Sequence, residues 1–404
     1  MAVASSNGSV EHADNSPNRF GNRRQVRRGR EAGDGERQGI LFGEVIRVKG
    51  IILCGGKGSR LRPHTFSRPK HLLPVMNKPV LYYGIESMID AGIDSIAVVV
   101  PPVYREAFDE ALQGGAPWDI EITLIEQPEP RGLADAVRMA EAYVGNDDFI
   151  LYLGDNVIDG SLAPLVERFR RERLEGLVSV SEVDTPQQFG VVQLDGERLV
   201  KVVEKPKEPP SNLAINGVYL FRSSLFDAIA GLRPSARGEY EITDAIQRLI
   251  DGGLPLGVFR SPYWWKDTGQ PKDLILCNQH YLQRIEGLRV KGSIDASSQV
   301  SSPVSIGENA KIVNSVIRGP VVIGNGAVIE DSYIGPFTSV GDRVRIARCE
   351  VENSIVMEDA ELEGVARRID ESLIGSDSKV LSRTQPPQSV KLWIGDHSQL
   401  FFPR

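Results

Sequence analysis

A cluster of glycines and cations is the first place in this chain where chemistry could be done. An apolar run ends at Cys54 and is followed by Gly55-Gly56-Lys57-Gly58-Ser59-Arg60. Glycines after a strand let backbone N–H groups turn toward an anion. The segment is not a Walker A loop, because Gly58 rather than Ser or Thr follows Lys57. It is a poor dinucleotide fingerprint too, because Leu61 stands where a third glycine belongs. Alone, it suits either a phosphate loop or a tight strand-to-helix turn with exposed cations. Arg60, Arg62, Arg68 and Lys70 lie close by, in a stretch stiffened by Pro63, Pro69 and Pro74. A triphosphate needs compensation of that size, since opposed charges in a partly dry cleft attract by several kcal/mol.

The elements that would carry this loop alternate. Val48 to Cys54 reads as a buried strand, and Leu81, Ile85, Met88 and Ile89 recur at helical spacing. Ser95 to Pro101 and Ile120 to Ile125 read as strands. Leu133, Val137, Ala140 and Val144 mark one helix face, and Phe149 to Leu153 is a strand stopping at Gly154-Asp155-Asn156. Such alternation implies an α/β fold with βαβ units and a mainly parallel sheet, in which ligands bind beyond the carboxyl ends of the strands. A hairpin turning at Asp195-Gly196, a strand in Ala214 to Phe221 and a helix with Glu241, Ile242, Ala245, Ile246 and Leu249 extend the same domain toward the substrate.

After about Gly287 the period becomes six. Ile294, Val300, Ile306 and Ile312 are six apart, and after a shift of four so are Val316, Val322, Val328, Ile334, Val340 and Ile346; Ile374 and Val380 repeat the step. A left-handed parallel β-helix of hexapeptide repeats gives that period, with the aliphatic residue of each side pointing inward.

Composition bounds the function classes. The chain has 404 residues, is 41% hydrophobic and carries a net charge of -7, which suits a soluble multidomain protein with no general affinity for nucleic acid. No apolar run is long enough to span a membrane. Cys54, Cys277 and Cys349 suit neither a disulfide framework nor a zinc site and fit a reducing, cytoplasmic compartment. Residues 1–46 are rich in Ser, Asn, Gly and Arg, with no apolar core for a secretory signal; a disordered tail is expected there. The domain expectations are 1–46 tail, 47–287 catalytic domain and 288–404 β-helix.

Leu53 to Pro74 resembles the signature of the sugar-1-phosphate nucleotidyltransferases, G-G-x-G-[ST]-R-L followed by R-P-K. Further matching stretches are EQPEPRGLADA, YLGDN, FGVV, VEKP, LRPSARGEYEITD and WWKDTG, in order between Lys49 and about Gln279. Together they are most similar to the glucose-1-phosphate thymidylyltransferases of the longer type, which carry a β-helix tail. The resemblance implies a Rossmann-like nucleotidyltransferase domain with dTTP and glucose 1-phosphate as partners, Mg²⁺ as cofactor and a homo-oligomer.

Residue by residue, the resemblance implies that Gly55, Gly56, Lys57, Gly58 and Ser59 wrap the triphosphate. Arg60 would stabilise leaving pyrophosphate, and Lys70 would offset charge at the α-phosphate. Asp155 and Asp267 would hold the metal; on the residues alone they read equally as a turn aspartate and the N-cap of a helix begun near Pro271. Gln127 and Gly132 match the base-contacting stretch. Asn156, Gly190, Glu204, Lys205, Asn216, Arg237 and Trp265 match sugar-phosphate contacts. Two positions depart from the pattern: His71 and Asp135 stand where Gln is common. Uridylyl transfer, transfer to another sugar phosphate, and a non-catalytic sugar-nucleotide sensor are the alternatives. Acyl transfer by the β-helix is disfavoured, since His12, His64, His71, His280 and His397 all lie outside 288–382.

Overall fold

A computed structural model describes residues 47–382. The expected tail, and the coil expected beyond 382, lie outside the described residues.

Strand β1 (Val48–Leu53) is apolar on both faces, which suits the middle of a parallel sheet. It lies between β2 (Ser95–Val100) and β4 (Asp148–Leu153), both parallel to it, and β3 (Glu121–Glu126) adds in parallel outside β2. Helix α1 (Val80–Asp90) follows the glycine loop, and α2 (Arg105–Leu112) joins β2 to β3. The helix expected over 133–144 is broken in two, α3 (Leu133–Met139) and α4 (Glu141–Val144), because the Ala140 N–H closes a tighter bond onto Val137 O at 2.9 Å.

The second half of the sheet is built differently. After β4 come β5 (Asn156–Asp159), α5 (Ala163–Glu172), β6 (Gly176–Glu182), the hairpin β7 (Gly190–Asp195) and β8 (Arg198–Glu204), and β9 (Leu213–Phe221). Then follow α6 (Ser224–Ala230), α7 (Ile242–Asp251), β10 (Leu256–Arg260), β11 (Trp264–Asp267) and α8 (Pro271–Leu282). Strand β9, buried along its whole length, pairs antiparallel with β4, β6 and β7. The sheet runs β8-β7-β9-β4-β1-β2-β3, with β6 on β9 and β10 on β6. Two apolar cores, one on each face, hold it between its helices.

From Leu288 onward short strands stack in three parallel sheets, the β-helix expected from the period. The inward column Val300, Ile317, Ile334, Val351 advances 17 residues per step. In these turns two sides take six residues and the third takes five; later turns step by 16 (Val340 to Val356, Ile346 to Leu362) and 18 (Val356 to Ile374, Leu362 to Val380). This corrects the uniform frame of six. Ile334, Val340 and Ile346 do point inward, but Val316, Val322 and Val328 are only half-buried, and their neighbours Ile317, Ile323 and Ile329 fill the interior. A one-residue offset reverses which face a side chain occupies. Val380, in the last described turn, is exposed.

The coil packs against the catalytic domain, an interface absent from the sequence expectations. Ile355 and Met357 join Leu61, Leu73, Val75, Leu274 and Ile275 in one apolar cluster. Asn278 of α8 is fully buried there. Its Oδ1 accepts from the Met76 N–H (2.8 Å) and the Ser339 hydroxyl (2.6 Å), and its amide donates to Phe337 O (3.1 Å). Arg68 forms an ion pair with Glu358 across the same boundary.

Candidate active site

The parallel strands end at one edge, and the loop after β1 opens there. Gly56 and Gly58 take φ of 93° and 57°, left-handed values that glycine adopts without strain. Thr65, itself buried, donates its hydroxyl to Gly58 O at 2.7 Å and fixes the turn. Lys57 and Ser59 are exposed on it. Lys70 reaches back to this loop from a short helical turn: a Cβ built on Gly56 would lie 3.9 Å from Lys70 Nζ. The ammonium pairs with the Asp155 carboxylate. Burial works against both charges, but their mutual attraction and hydrogen bond outweigh it, so the Lys70 pKa is raised and that of Asp155 lowered.

Asp155 and Asp267 are brought near one another by a two-stranded ladder. Strand β11 runs antiparallel to β5 and sets Asp267 opposite Asn156. The next residue, Thr268, donates its N–H and its hydroxyl to Asp155 O. Asp267 is raised to about 6, first by burial and then by the Asp155 charge, with Lys70 and Arg60 opposing the rise. Its Oδ1 is buried with no hydrogen-bond partner among the described residues. A buried carboxylate oxygen without a donor beside a second carboxylate suits a divalent cation. Arg60 closes the same corner: a Cβ on Gly269 would meet Arg60 Nη2 at 2.5 Å and Asp267 Oδ1 at 3.1 Å. Among the described residues no group of three or more His, Cys, Asp or Glu gathers as a metal cage. The pair would therefore leave most of a coordination shell to substrate oxygens and water.

On the β3 side of the loop lies a cleft of ≈ 470 Å³ lined by Gly55, Gly56, Phe66, Pro101, Tyr104 and Gln127, among others. Gln127 follows β3 and is buried. Gly132, with φ of 118°, sits where a Cβ would strike the Tyr240 backbone at 2.5 Å, so only glycine fits. Asp135 is buried beside them and receives Gln127, Arg131 and Arg138. His71, the other departure, turns away: it is buried near Phe108, 6.1 Å between ring centroids, and burial and the Lys70 charge push its pKa down to about 3. It is a neutral core residue behind Lys70.

On the opposite side, the residues matched to sugar phosphate are divided. Asn156 donates to Asp155 Oδ1 (3.1 Å) and accepts from Trp265 Nε1 (2.6 Å). Trp265, Arg60 and Asp267 line a cleft of ≈ 520 Å³ with Phe189, whose ring meets Trp265 edge-on at 5.2 Å. Glu204 and Arg237, joined at 3.2 Å, line a neighbouring cleft of ≈ 620 Å³. Lys205 lies 3.7 Å from Glu204. Gly190 faces Glu204 across the hairpin, where a Cβ would meet Thr243 Cγ2 at 3.0 Å and Glu204 Oε2 at 3.3 Å. Asn216 is fully buried; its amide donates to Ser181 Oγ at 3.1 Å, and its Oδ1 has no partner among the described residues.

The strand order therefore lays these groups along one edge. Gly190, Glu204 and Asn216 belong to β7, β8 and β9; Asp155 and Gly55 follow β4 and β1; Gln127 follows β3. Thr65, Thr268 and Phe189 were missed from the sequence. Phe189 had a local signal in the FGVV stretch, whereas Thr65 and Thr268 act through contacts that no motif spacing marks.

Comparison with known proteins identifies the family. The nucleotidyl transferase family model matches residues 49–284. A glucose-1-phosphate thymidylyltransferase of Streptomyces antibioticus is 43% identical over 355 residues, covering 87% of this chain and 99% of that protein. A low-salt glycan biosynthesis nucleotidyltransferase of Haloferax volcanii is 41% identical over 357 residues, with coverages of 87% and 99%. Among solved structures, one described as a glucose-1-phosphate thymidylyltransferase of Bacillus anthracis in complex with sucrose superposes with a TM-score of 0.56 at 35% identity; it covers 60% of this chain and 98% of its own.

Proposed function

The chain belongs to the nucleotidyl transferase family, and from that premise we propose that it transfers a thymidylyl group from dTTP to glucose 1-phosphate. The products are dTDP-glucose and pyrophosphate. A phosphate oxygen of the sugar phosphate attacks the α-phosphorus, and the bond from that phosphorus to the bridging oxygen of the leaving pyrophosphate breaks in line. No side chain is needed as nucleophile; catalysis is positioning and charge neutralisation.

In this reading the backbone of Gly55 to Ser59 and Lys57 hold the triphosphate. Lys70, beside Gly56, meets the charge growing on the α-phosphoryl oxygens, and Arg60 meets that on pyrophosphate. Asp155 and Asp267 would hold Mg²⁺, which when bound would neutralise and orient phosphate oxygens. Gln127 and Gly132 face the base. Trp265 and Phe189 wall the sugar side, Asn156, Asn216, Glu204 and Gly190 meet the hydroxyls, and Lys205 and Arg237 meet the sugar phosphate. The observation that carries the reading is the convergence of Lys70, Asp155 and Asp267 at the glycine loop, between a cleft on the β3 side and clefts on the β9 side.

Three coarser elements complete the proposal. Three buried free thiols fit the cytoplasm. A division near residue 287 separates catalysis from the coil, and the coil supports a homo-oligomer. The experiment is pyrophosphate release with glucose 1-phosphate, each of the four dNTPs and UTP, with and without Mg²⁺. Turnover with dTTP is expected. Preference for UTP would move the assignment to uridylyl transfer, and no turnover with any nucleotide would sink the enzyme reading.

A further inference from the structure

We propose that Asp135 is a positioning residue that locks the side-chain amide of Gln127 in one orientation, so that the cleft accepts an imide base, thymine or uracil, and rejects cytosine. The inference rests on the assignment of the β3-side cleft to the base.

An ionised carboxylate can only accept hydrogen bonds. Asp135 is 3% exposed and receives three donors: Gln127 Nε2 at 3.0 Å, Arg131 Nη2 at 3.0 Å and Arg138 Nη2 at 2.8 Å. Burial alone would raise this carboxyl, but the bonds from Gln127, Arg131 and Arg138 outweigh it and hold the group below the usual range. Gln127 Nε2 also lies 3.4 Å from Gly132 O, a second acceptor. Two acceptors on one side of the amide leave no choice of orientation, because an oxygen turned toward them would meet lone pairs only. The NH₂ faces inward, and Oε1 faces Gly55, where a Cβ would lie 3.3 Å from it.

Gln127 therefore presents its Oε1 acceptor to the cleft and keeps its N–H donors turned away. Thymine and uracil carry N3–H, a donor flanked by two carbonyls, and pair with that oxygen. Cytosine presents the lone pair of N3 there, and a buried oxygen facing a lone pair goes unsatisfied. Removing Asp135 removes the strongest reason for the amide to keep its orientation; turned over, it offers N–H to cytosine.

The test is calorimetric titration of dTTP and dCTP, without sugar phosphate, into wild type, Asp135→Ala and Asp135→Asn, with melting temperatures recorded alongside. Wild type should bind dTTP at least about tenfold more tightly than dCTP, the scale of one well-placed hydrogen bond. Asp135→Ala should bring the ratio to about threefold or less, and Asp135→Asn, equal in size but able to donate, should move it the same way. A merely structural role would lower the melting temperature and weaken both nucleotides alike. An unchanged ratio in the folded variants overturns the proposal, as does equal or absent binding of the two nucleotides by wild type. If only one variant folds, that variant decides; if neither folds, Asp135 belongs to the scaffold and the proposal falls. Discrimination in binding with no turnover would sink the transfer reaction while leaving this inference in place.

Discussion

Thr268 donates both its backbone N–H (2.9 Å) and its hydroxyl (2.8 Å) to the carbonyl oxygen of Asp155. The double contact ties the residue after Asp267 to the backbone of Asp155. Thr268→Val keeps the N–H bond and the shape but removes the hydroxyl. About 1 kcal/mol of stability should be lost, and the Mg²⁺ concentration for half-maximal activity should rise several-fold in a metal titration. An unchanged metal requirement would show that the spacing of the two carboxylates is held elsewhere.

The buried carboxyl of Asp267 makes stability depend on pH, with a sign set by its surroundings. Its carboxyl is raised from 3.8 to about 6. Between those values the folded chain keeps a proton that the unfolded chain has released. The stability from this group is therefore complete below about pH 4 and lost as pH climbs through 6. Asp267→Asn, which mimics the protonated form, should raise the metal-free stability above pH 7 by about 1–3 kcal/mol, with no gain near pH 4. Under the metal-holding role proposed for Asp267, activity should run the opposite way, rising through pH 6 in the wild type and staying low at every pH in Asp267→Asn. Melting curves and rates across pH 4–8 check both.

Lys70→Gln should lower kcat by about 10²–10³-fold, the scale of one transition-state donor, with far-ultraviolet circular dichroism unchanged. Full activity in a folded Lys70→Gln protein would contradict the role proposed for the ammonium.

The Arg68–Glu358 ion pair joins the coil to the segment two residues before Lys70. We expect Arg68→Ala and Glu358→Gln each to lower kcat about three- to tenfold, and the double variant to be no worse than either single, a coupling of about 1 kcal/mol. Additive losses in the double-mutant cycle would mean that the two residues act separately.

Gly132→Ala should be among the most damaging single-methyl changes. It places a Cβ against the Tyr240 backbone at a φ of 118°. A loss of about 1–3 kcal/mol in denaturant unfolding is expected, with the Michaelis constant for dTTP raised more than that for glucose 1-phosphate.

Much of this was legible in the residues. The apolar runs of β1, β2 and β4 announce buried parallel strands, and the glycines after β1 announce a tight turn at the strand end, because both depend on neighbours in the chain. The coil was legible in kind but not in frame: Val316 and Ile317 are both aliphatic, and only a turn of 17 residues decides which one points inward. The Asp135 network, the clamp of Thr268 and the seat of Asn278 against the coil were not legible, since each depends on partners that only the tertiary fold brings near. His71 lies next to Lys70, yet only the packing reveals that it faces the interior.

The order of groups along the sheet edge bears on how such proteins diversify. Between β9 and β3 stand β4, β1 and β2, which at strand spacing separates their ends by about 19 Å. Substitutions on one flank are too far from the other to couple through contact. Under the proposed assignment of the two flanks, a lineage, or a designer, could retune the sugar side on Asn216 and Glu204 while leaving the base side untouched, so chimeras divided at the central strands should combine donor and acceptor tastes from different parents.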